Sequence, residues 1–121
     1  MAKIQIMRLN EDVDVVDGEV HGPFAVHRDG RRWKVSQLAT GFAVPFWFRR
    51  KVNAVLYAQK MARLRNDWHT VFYDIPDHQC EQLHELAAEC GGTYSEPGRE
   101  STEKARAVAE RMRPLNGMER D

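Results

Sequence analysis

The dipeptide Asp29-Gly30 is the feature that most restricts how this 121-residue chain can fold. Asp-Gly favours a two-residue β-hairpin loop, because both central positions of that loop require positive φ. The dipeptide lies between two segments rich in strand-forming residues, Phe24 to Arg28 and Arg31 to Ser36. A loop made of Asp29 and Gly30 places Val26 opposite Trp33, which predicts an antiparallel hairpin in that register.

Alternation along the two strands divides the hairpin into two faces. The apolar face consists of Phe24, Val26, Trp33 and Val35. The other face consists of Ala25, His27, Arg32, Lys34 and Ser36. Because the apolar face must be the buried one, we expect the basic face to point to solvent.

Periodicity and turn residues predict the remaining elements. We predict strands at Ala2 to Leu9, at Phe42 to Phe48 and at His69 to Ile75, and helices at Arg49 to Leu64, Pro76 to Cys90 and Ser101 to Arg113. The valines between Val13 and Val20 indicate either an exposed edge strand or a loop, because acidic residues lie among them. The fold class is therefore α+β, with a small antiparallel β-sheet of three to five strands packed on one helix and two further carboxy-terminal helices. We assign residues 1–92 to a single domain, 93–98 to a linker and 99–121 to a weakly docked helix with a frayed end.

An aromatic segment ends the third strand of this sheet. If Phe42, Val44, Phe46 and Phe48 face the core, alternation leaves Trp47 as the exposed member. An exposed Trp47 would suit the stacking of an unpaired base or a homodimer contact. Burial in the core or an interface is the competing interpretation, since aromatic side chains are mostly buried.

Charge is distributed unevenly along a chain whose formal net charge is zero. Residues 1–20 carry two basic and five acidic side chains, residues 21–65 carry ten basic and one acidic, and residues 66–121 carry six basic and twelve acidic. This partition predicts either an anionic partner for the middle segment or an internal match between that segment and the acidic carboxy-terminal part. Both alternatives stay open at this point.

Targeting and membrane signals are missing from the sequence. Its longest uncharged apolar run, residues 42–48, is too short to span a bilayer. The amino terminus has no charged start followed by an apolar block and a cleavage site, so we expect a cytoplasmic protein. We predict no membrane partner and no cofactor.

The order of elements between residues 24 and 64 resembles the three-stranded DNA-binding domain of plant ethylene-response factors and of phage-integrase amino-terminal domains. The resemblance rests on Phe48 followed six residues later by Ala54, and on the step Trp33-Lys34-Val35. It implies that the outward face of the sheet enters a DNA major groove, with the hairpin supplying the contacts. The rest of the chain has no counterpart in those domains.

Arg and Lys side chains on a sheet face suit phosphate oxygens, because each contact releases counterions. We therefore predict a non-catalytic binding protein that uses its basic hairpin to engage a polyanion, with nucleic acid as the preferred partner. The candidate binding residues are His27, Arg28, Arg31, Arg32, Lys34, Trp47, Arg49, Arg50 and Lys51. The competing explanations for these charges are a solvated face, or a face neutralised by the acidic residues of the tail.

A small inhibitor of the phage or mobile-element type, acting on a host protein or nucleoprotein complex, is the alternative function. Its contact surface would be the basic face or the acidic stripe of Glu81, Glu85 and Glu89 on one helix. We predict no catalytic residues; among enzymes, a ribonuclease-like activity comes nearest. Cys80 and His84 share a helix face, but no third and fourth zinc ligand accompanies them, so we predict no metal site.

Overall fold

Within the residues that the structure describes, the protein folds as one six-stranded antiparallel sheet with three helices. The structure is a computed structural model that describes residues 1–7, 12–64, 68, 77–95, 99–111 and 115–117. Its strands are β1 (Ala2–Met7), β2 (Val13–His21), β3 (Phe24–Asp29), β4 (Arg32–Gln37), β5 (Ala43–Phe48) and β6 (Thr93–Tyr94), and its helices are α1 (Lys51–Ala62), α2 (Asp77–Glu89) and α3 (Arg99–Arg111). The strands neighbour one another in chain order. None of the helices in the described ranges is long and apolar enough to cross a membrane.

The α+β class is confirmed, whereas the predicted count of three to five strands is wrong. The strand that raises the count is β6, which occupies two residues of the segment we assigned to a linker and pairs with β5 through Phe46 and Trp47. Two residues are too few to show the alternation by which a strand is recognised. The strand predicted at residues 69–75 lies outside the described residues.

The hairpin forms with a different loop from the one predicted. Asp29 pairs with Arg32, so the two-residue loop is Gly30-Arg31, with Gly30 at a φ of +63°. A hairpin loop with glycine first needs positive φ only at that position, so arginine fits the second. Val26 consequently faces Val35 rather than Trp33. This shift of two residues preserves the predicted division of side chains between the two faces.

The main core lies between the sheet and the helices α1 and α2. Phe24, Val26, Phe46 and Phe48 are buried from the sheet side, with Ala54, Tyr57, Ala58 and Met61 from α1 and Leu83 and Ala87 from α2. Ala54 and Ala58 have small side chains, which let α1 approach the sheet closely. The α2 helix ends at Glu89, and Gly91 follows it with a φ of +75°.

A second, smaller core covers the opposite face of the sheet, which we call the outer face. Ile4 and Ile6 of β1 pack there with Ala25 and Leu38. The amide of Met7 at the end of β1 donates to the carbonyl oxygen of Gly41, at 2.9 Å, in the β4–β5 connection. The sheet is therefore bent toward its outer face. The expectation that this whole face points to solvent is wrong.

The segment after α3 is docked where the structure describes it. The amide of Leu115 donates to the Ala39 carbonyl at 2.8 Å. The side chain of Asn116 accepts a bond from the Gln5 amide and donates to the carbonyl oxygens of Gln5 and Leu38, at 2.8, 3.0 and 2.9 Å. These bonds tie the outer edge of β1 to the β4–β5 connection, so the predicted fraying is wrong for residues 115–117.

Candidate nucleic-acid interface

The predicted binding residues gather at one end of the sheet. The pairs Trp33–Phe48 and Lys34–Trp47 bring the end of β5 beside the start of β4. Arg49 and Arg50 follow Phe48 directly and therefore lie next to the β3–β4 turn. We call this end of the sheet the basic rim. Its members are Arg28, Arg31, Arg32, Trp33, Lys34, Trp47, Arg49, Arg50 and Lys51.

His27 is the predicted site residue that the fold keeps away from the rim surface. Its side chain is only 3% exposed, on the part of the outer face that β1 covers. Its Nε2 atom lies 2.8 Å from the hydroxyl oxygen of Ser36, which is also buried. The expectation that His27 points to solvent is therefore wrong. A hydrogen-bonded pair of buried polar groups is the ordinary way to offset the cost of burying them.

Trp47 is half-buried on the outer face, where Arg32 covers its ring. The guanidinium carbon of Arg32 lies 4.1 Å from the ring centroid, within the range of a cation–π contact. Neighbouring strands flank Trp47 on both sides, since it pairs with Lys34 of β4 and Thr93 of β6. The indole is thus held in a fixed position inside the sheet, and the arginine lies on it.

Trp33 forms a second aromatic contact on the helix-side face of the same end. Arg28 stands directly opposite it in the ladder, with the guanidinium carbon 5.3 Å from the ring centroid, and the ammonium of Lys51 lies 5.9 Å away. The sequence pattern predicts that Trp33 is buried with the apolar face, whereas the structure shows it half-buried at the rim. The signal that could have placed it at the rim is its pairing with Arg28, which appears only in the correct hairpin register.

Two of the rim cations have carboxylate partners. The Lys34 ammonium lies 3.0 Å from the Asp29 carboxylate, and the Lys51 ammonium lies 2.7 Å from that of Glu19. The hydrogen bond from Lys51 lowers the pKa of Glu19 below its ordinary value. No carboxylate within the described part of the chain forms an ion pair with the rim arginines Arg28, Arg31, Arg32, Arg49 and Arg50.

The acidic helix α2 does not neutralise the rim. Glu81, Glu85 and Glu89 are exposed, and Glu89 lies 3.6 Å from Lys60 in the last turn of α1. Lys60 is nine residues beyond Lys51, or roughly 13 Å along the helix axis. Within the described ranges, the ion pair between Lys60 and Glu89 is therefore the one that joins the basic middle segment to the acidic carboxy-terminal part, and it leaves the rim arginines available.

The described residues enclose a small cavity on the outer face. The outer face retains a cavity of about 70 Å³ beside His27 and Ser36, far below the several hundred Å³ of a typical ligand pocket. Within the described residues, no three His, Cys, Asp or Glu side chains form a group that could hold a metal ion. His84 of α2 instead stacks on Tyr94, with ring centroids 4.7 Å apart.

Comparison of the chain with protein-family models, with characterised proteins and with solved structures finds no match. The geometry of the rim is therefore the basis on which a function is inferred.

Proposed function

We propose that the protein is a non-catalytic nucleic-acid-binding protein whose basic rim contacts the phosphate backbone. The observation that carries this proposal is the group of five rim arginines without an ion pair in the described chain. Arginine presents a planar fork of donors that matches phosphate oxygens. A polyanion is the ligand that supplies phosphates at the spacing of neighbouring side chains.

The curvature of the sheet limits how the ligand can be bound. Insertion of the outer face into a major groove, which the family resemblance implies, would require Ala25, His27 and Ser36 to be accessible. All three are buried. The proposed contact is therefore made by the end of the sheet, through Arg31 in the hairpin loop and through Arg49 and Arg50 before α1.

The proposal predicts a steep dependence of affinity on salt. If all five unpaired arginines contact phosphates, log K should fall with log salt concentration with a slope of about −3.5 for a single strand or about −4.5 for B-form DNA. Fluorescence anisotropy of labelled oligonucleotides at several salt concentrations measures this slope. A slope near zero, or no binding at low salt, would contradict the proposal.

A matched set of variants locates the contact on the rim. Replacing Arg31, Arg49 and Arg50 together by Gln should make the slope shallower by about 2 to 3. The three side chains are exposed, and none forms a hydrogen bond or an ion pair with another side chain of the described residues. Arg63→Gln is the control, because Arg63 is exposed at the other end of α1, roughly 18 Å along the axis from Lys51. Equal effects of the triple variant and the control would remove the rim from the interface.

A second candidate function is an inhibitor that binds a host protein through α2. The exposed stripe of Glu81 and Glu85 borders a shallow groove that also includes Asp77 and His84. A complex that survives nuclease treatment and is lost in the double variant Glu81→Gln, Glu85→Gln would favour this function. Loss of every partner on nuclease treatment would count against it.

A further inference from the structure

We infer that the nucleic acid bound by the rim is single-stranded, and that an unpaired base stacks on the guanidinium of Arg32 where it lies over Trp47. This inference rests on the proposed nucleic-acid function and names its ligand class. It follows from three features: the bent sheet, the arginine held on an indole ring, and a second aromatic contact on the other side of the same end.

The bent sheet removes the broad surface that a duplex would need. A pair of strands enters a major groove by presenting an open row of side chains to the base edges. Here Ile4 and Ile6 of β1 pack over the middle of the outer face, and Asn116 ties β1 to the carbonyl of Leu38. The narrow end that carries Arg32, Lys34 and Trp47 remains accessible.

Arg32 over Trp47 forms a stacking surface that is already assembled. The guanidinium carbon of Arg32 lies 4.1 Å from the centroid of the Trp47 ring, which is close enough for the guanidinium plane to stack on the indole. Unpaired bases stack on arginine planes and aromatic rings in this way, whereas bases in a duplex already stack on one another. The arginine is exposed and the tryptophan is half-buried, so the side of the guanidinium that points away from the indole is accessible.

The second contact extends this surface across the end of the sheet. Trp33 and Trp47 belong to consecutive pairs of the β4–β5 ladder and therefore point to opposite faces. Arg28 covers Trp33 as Arg32 covers Trp47. A flexible single strand that crosses the rim can place bases on both sides while its phosphates meet the neighbouring arginines, which a stiff duplex cannot do.

The test compares three labelled DNA ligands of equal length. The first is a single strand, the second is the duplex of that strand with its complement, and the third is a single strand in which abasic sites replace the nucleotides. We expect the ordinary single strand to bind at least about 5-fold more tightly than the abasic strand, since stacking on one ring or plane contributes at least that factor. We also expect it to bind more tightly than the duplex, although the duplex carries more charge.

Charge-conserving variants then separate stacking from phosphate binding. Arg32→Lys keeps the positive charge but removes the plane, so the ratio of single-strand to abasic affinity should fall by about 5-fold while the salt slope stays the same. Arg31→Lys makes the same chemical change at a rim arginine without a ring contact and should leave that ratio as it is. Trp47→Leu should lower the ratio as Arg32→Lys does, provided that circular dichroism shows an intact fold.

The outcomes distinguish this inference from the function on which it rests. Equal binding of all three ligands, with a ratio unchanged in Arg32→Lys, would overturn the stacking site while the proposed function stands. Absence of binding to every ligand at low salt would refute the proposed function itself. Preference for the duplex over both strands would also overturn the inference, because it would require a surface that the covered outer face does not offer.

Discussion

The buried hydroxyl of Tyr57 makes the stability of the protein depend on pH. The substitution Tyr57→Phe separates this contribution from that of all other titratable groups. Tyr57 is 0% exposed in α1, and its hydroxyl donates a hydrogen bond of 3.0 Å to the carbonyl oxygen of Leu83 in α2. Burial raises the pKa of this hydroxyl far above its ordinary value of 10.0. The folded protein therefore keeps the Tyr57 proton under conditions in which the unfolded chain releases it.

The substitution Tyr57→Phe should lower stability at neutral pH by about 1 kcal/mol, the net contribution of an ordinary hydrogen bond. The ring contacts with Phe46 and Phe48, at centroid distances of 5.6 and 5.4 Å, persist in the variant. Leu83 lies inside α2, where its carbonyl also accepts the regular helix bond, so no buried acceptor is left empty. The cost should therefore not exceed about 1.5 kcal/mol.

The sign of this difference should reverse at high pH. Above pH 10 the unfolded wild-type chain binds one proton fewer at Tyr57 than the folded protein, so wild-type stability falls by about 1.4 kcal/mol for each further pH unit. The variant has no such proton. The two proteins should be equally stable between about pH 10 and 11, and Tyr57→Phe should be the more stable above that range.

Urea denaturation of both proteins between pH 7 and 11.5 measures the difference, in which the titration of all other groups cancels. Leu56→Ala is the matched control, since Leu56 is exposed on the same helix and the variant keeps the buried hydroxyl. The control should follow the pH dependence of the wild type. A stability difference between Tyr57→Phe and wild type that stays constant up to pH 11.5 would refute the assignment of a buried, protonated tyrosine.

Two further predictions test the closure of β1 over the outer face. Asn116→Ala removes three hydrogen bonds and places alanine at a φ of 55°, so we expect a loss of about 1–2 kcal/mol and faster hydrogen exchange at the Gln5 amide; unchanged exchange would contradict the clamp. Gly41→Ala should cost more than about 2 kcal/mol in urea denaturation, because a Cβ atom there would lie 2.9 Å from the Met7 amide nitrogen at a φ of +76°. Gly30 has a φ of +63° and open space around it, so Gly30→Ala should lose only the stability that the positive φ costs an alanine. An equal loss of stability in the two variants would refute the predicted clash of a Cβ atom at Gly41.

Local patterns predicted the elements whose signals are contained in a few consecutive residues. The helices predicted at Arg49 to Leu64 and Pro76 to Cys90 form as α1 and α2. Each has apolar residues at helical spacing on its buried side, namely Ala54 and Ala58 in α1 and Leu83 and Ala87 in α2. The division of the hairpin into two faces also survived, because side-chain alternation is unaffected by a register shift of two residues.

Contacts between distant parts of the chain were not predictable from such patterns. Nothing in the local sequence of β1 indicates that Ile4 and Ile6 cover Ala25, since that contact depends on the bending of the whole sheet. The burial of His27 follows from the same bending. The hairpin loop was misplaced because Asp29-Gly30 and Gly30-Arg31 both satisfy the backbone requirement at glycine, and packing decides between them.

The arrangement of charge at the rim is hard to explain by folding alone. Five arginines at one end of a sheet repel one another, and the described chain provides carboxylate partners only for the two lysines beside them. Acidic side chains are available, but Glu81 and Glu85 are exposed on α2. Stability would favour mixing these charges, whereas binding to a polyanion requires them to be separate. The separation therefore supports an anionic ligand at the rim, and adding that ligand should raise the unfolding temperature as mass action requires.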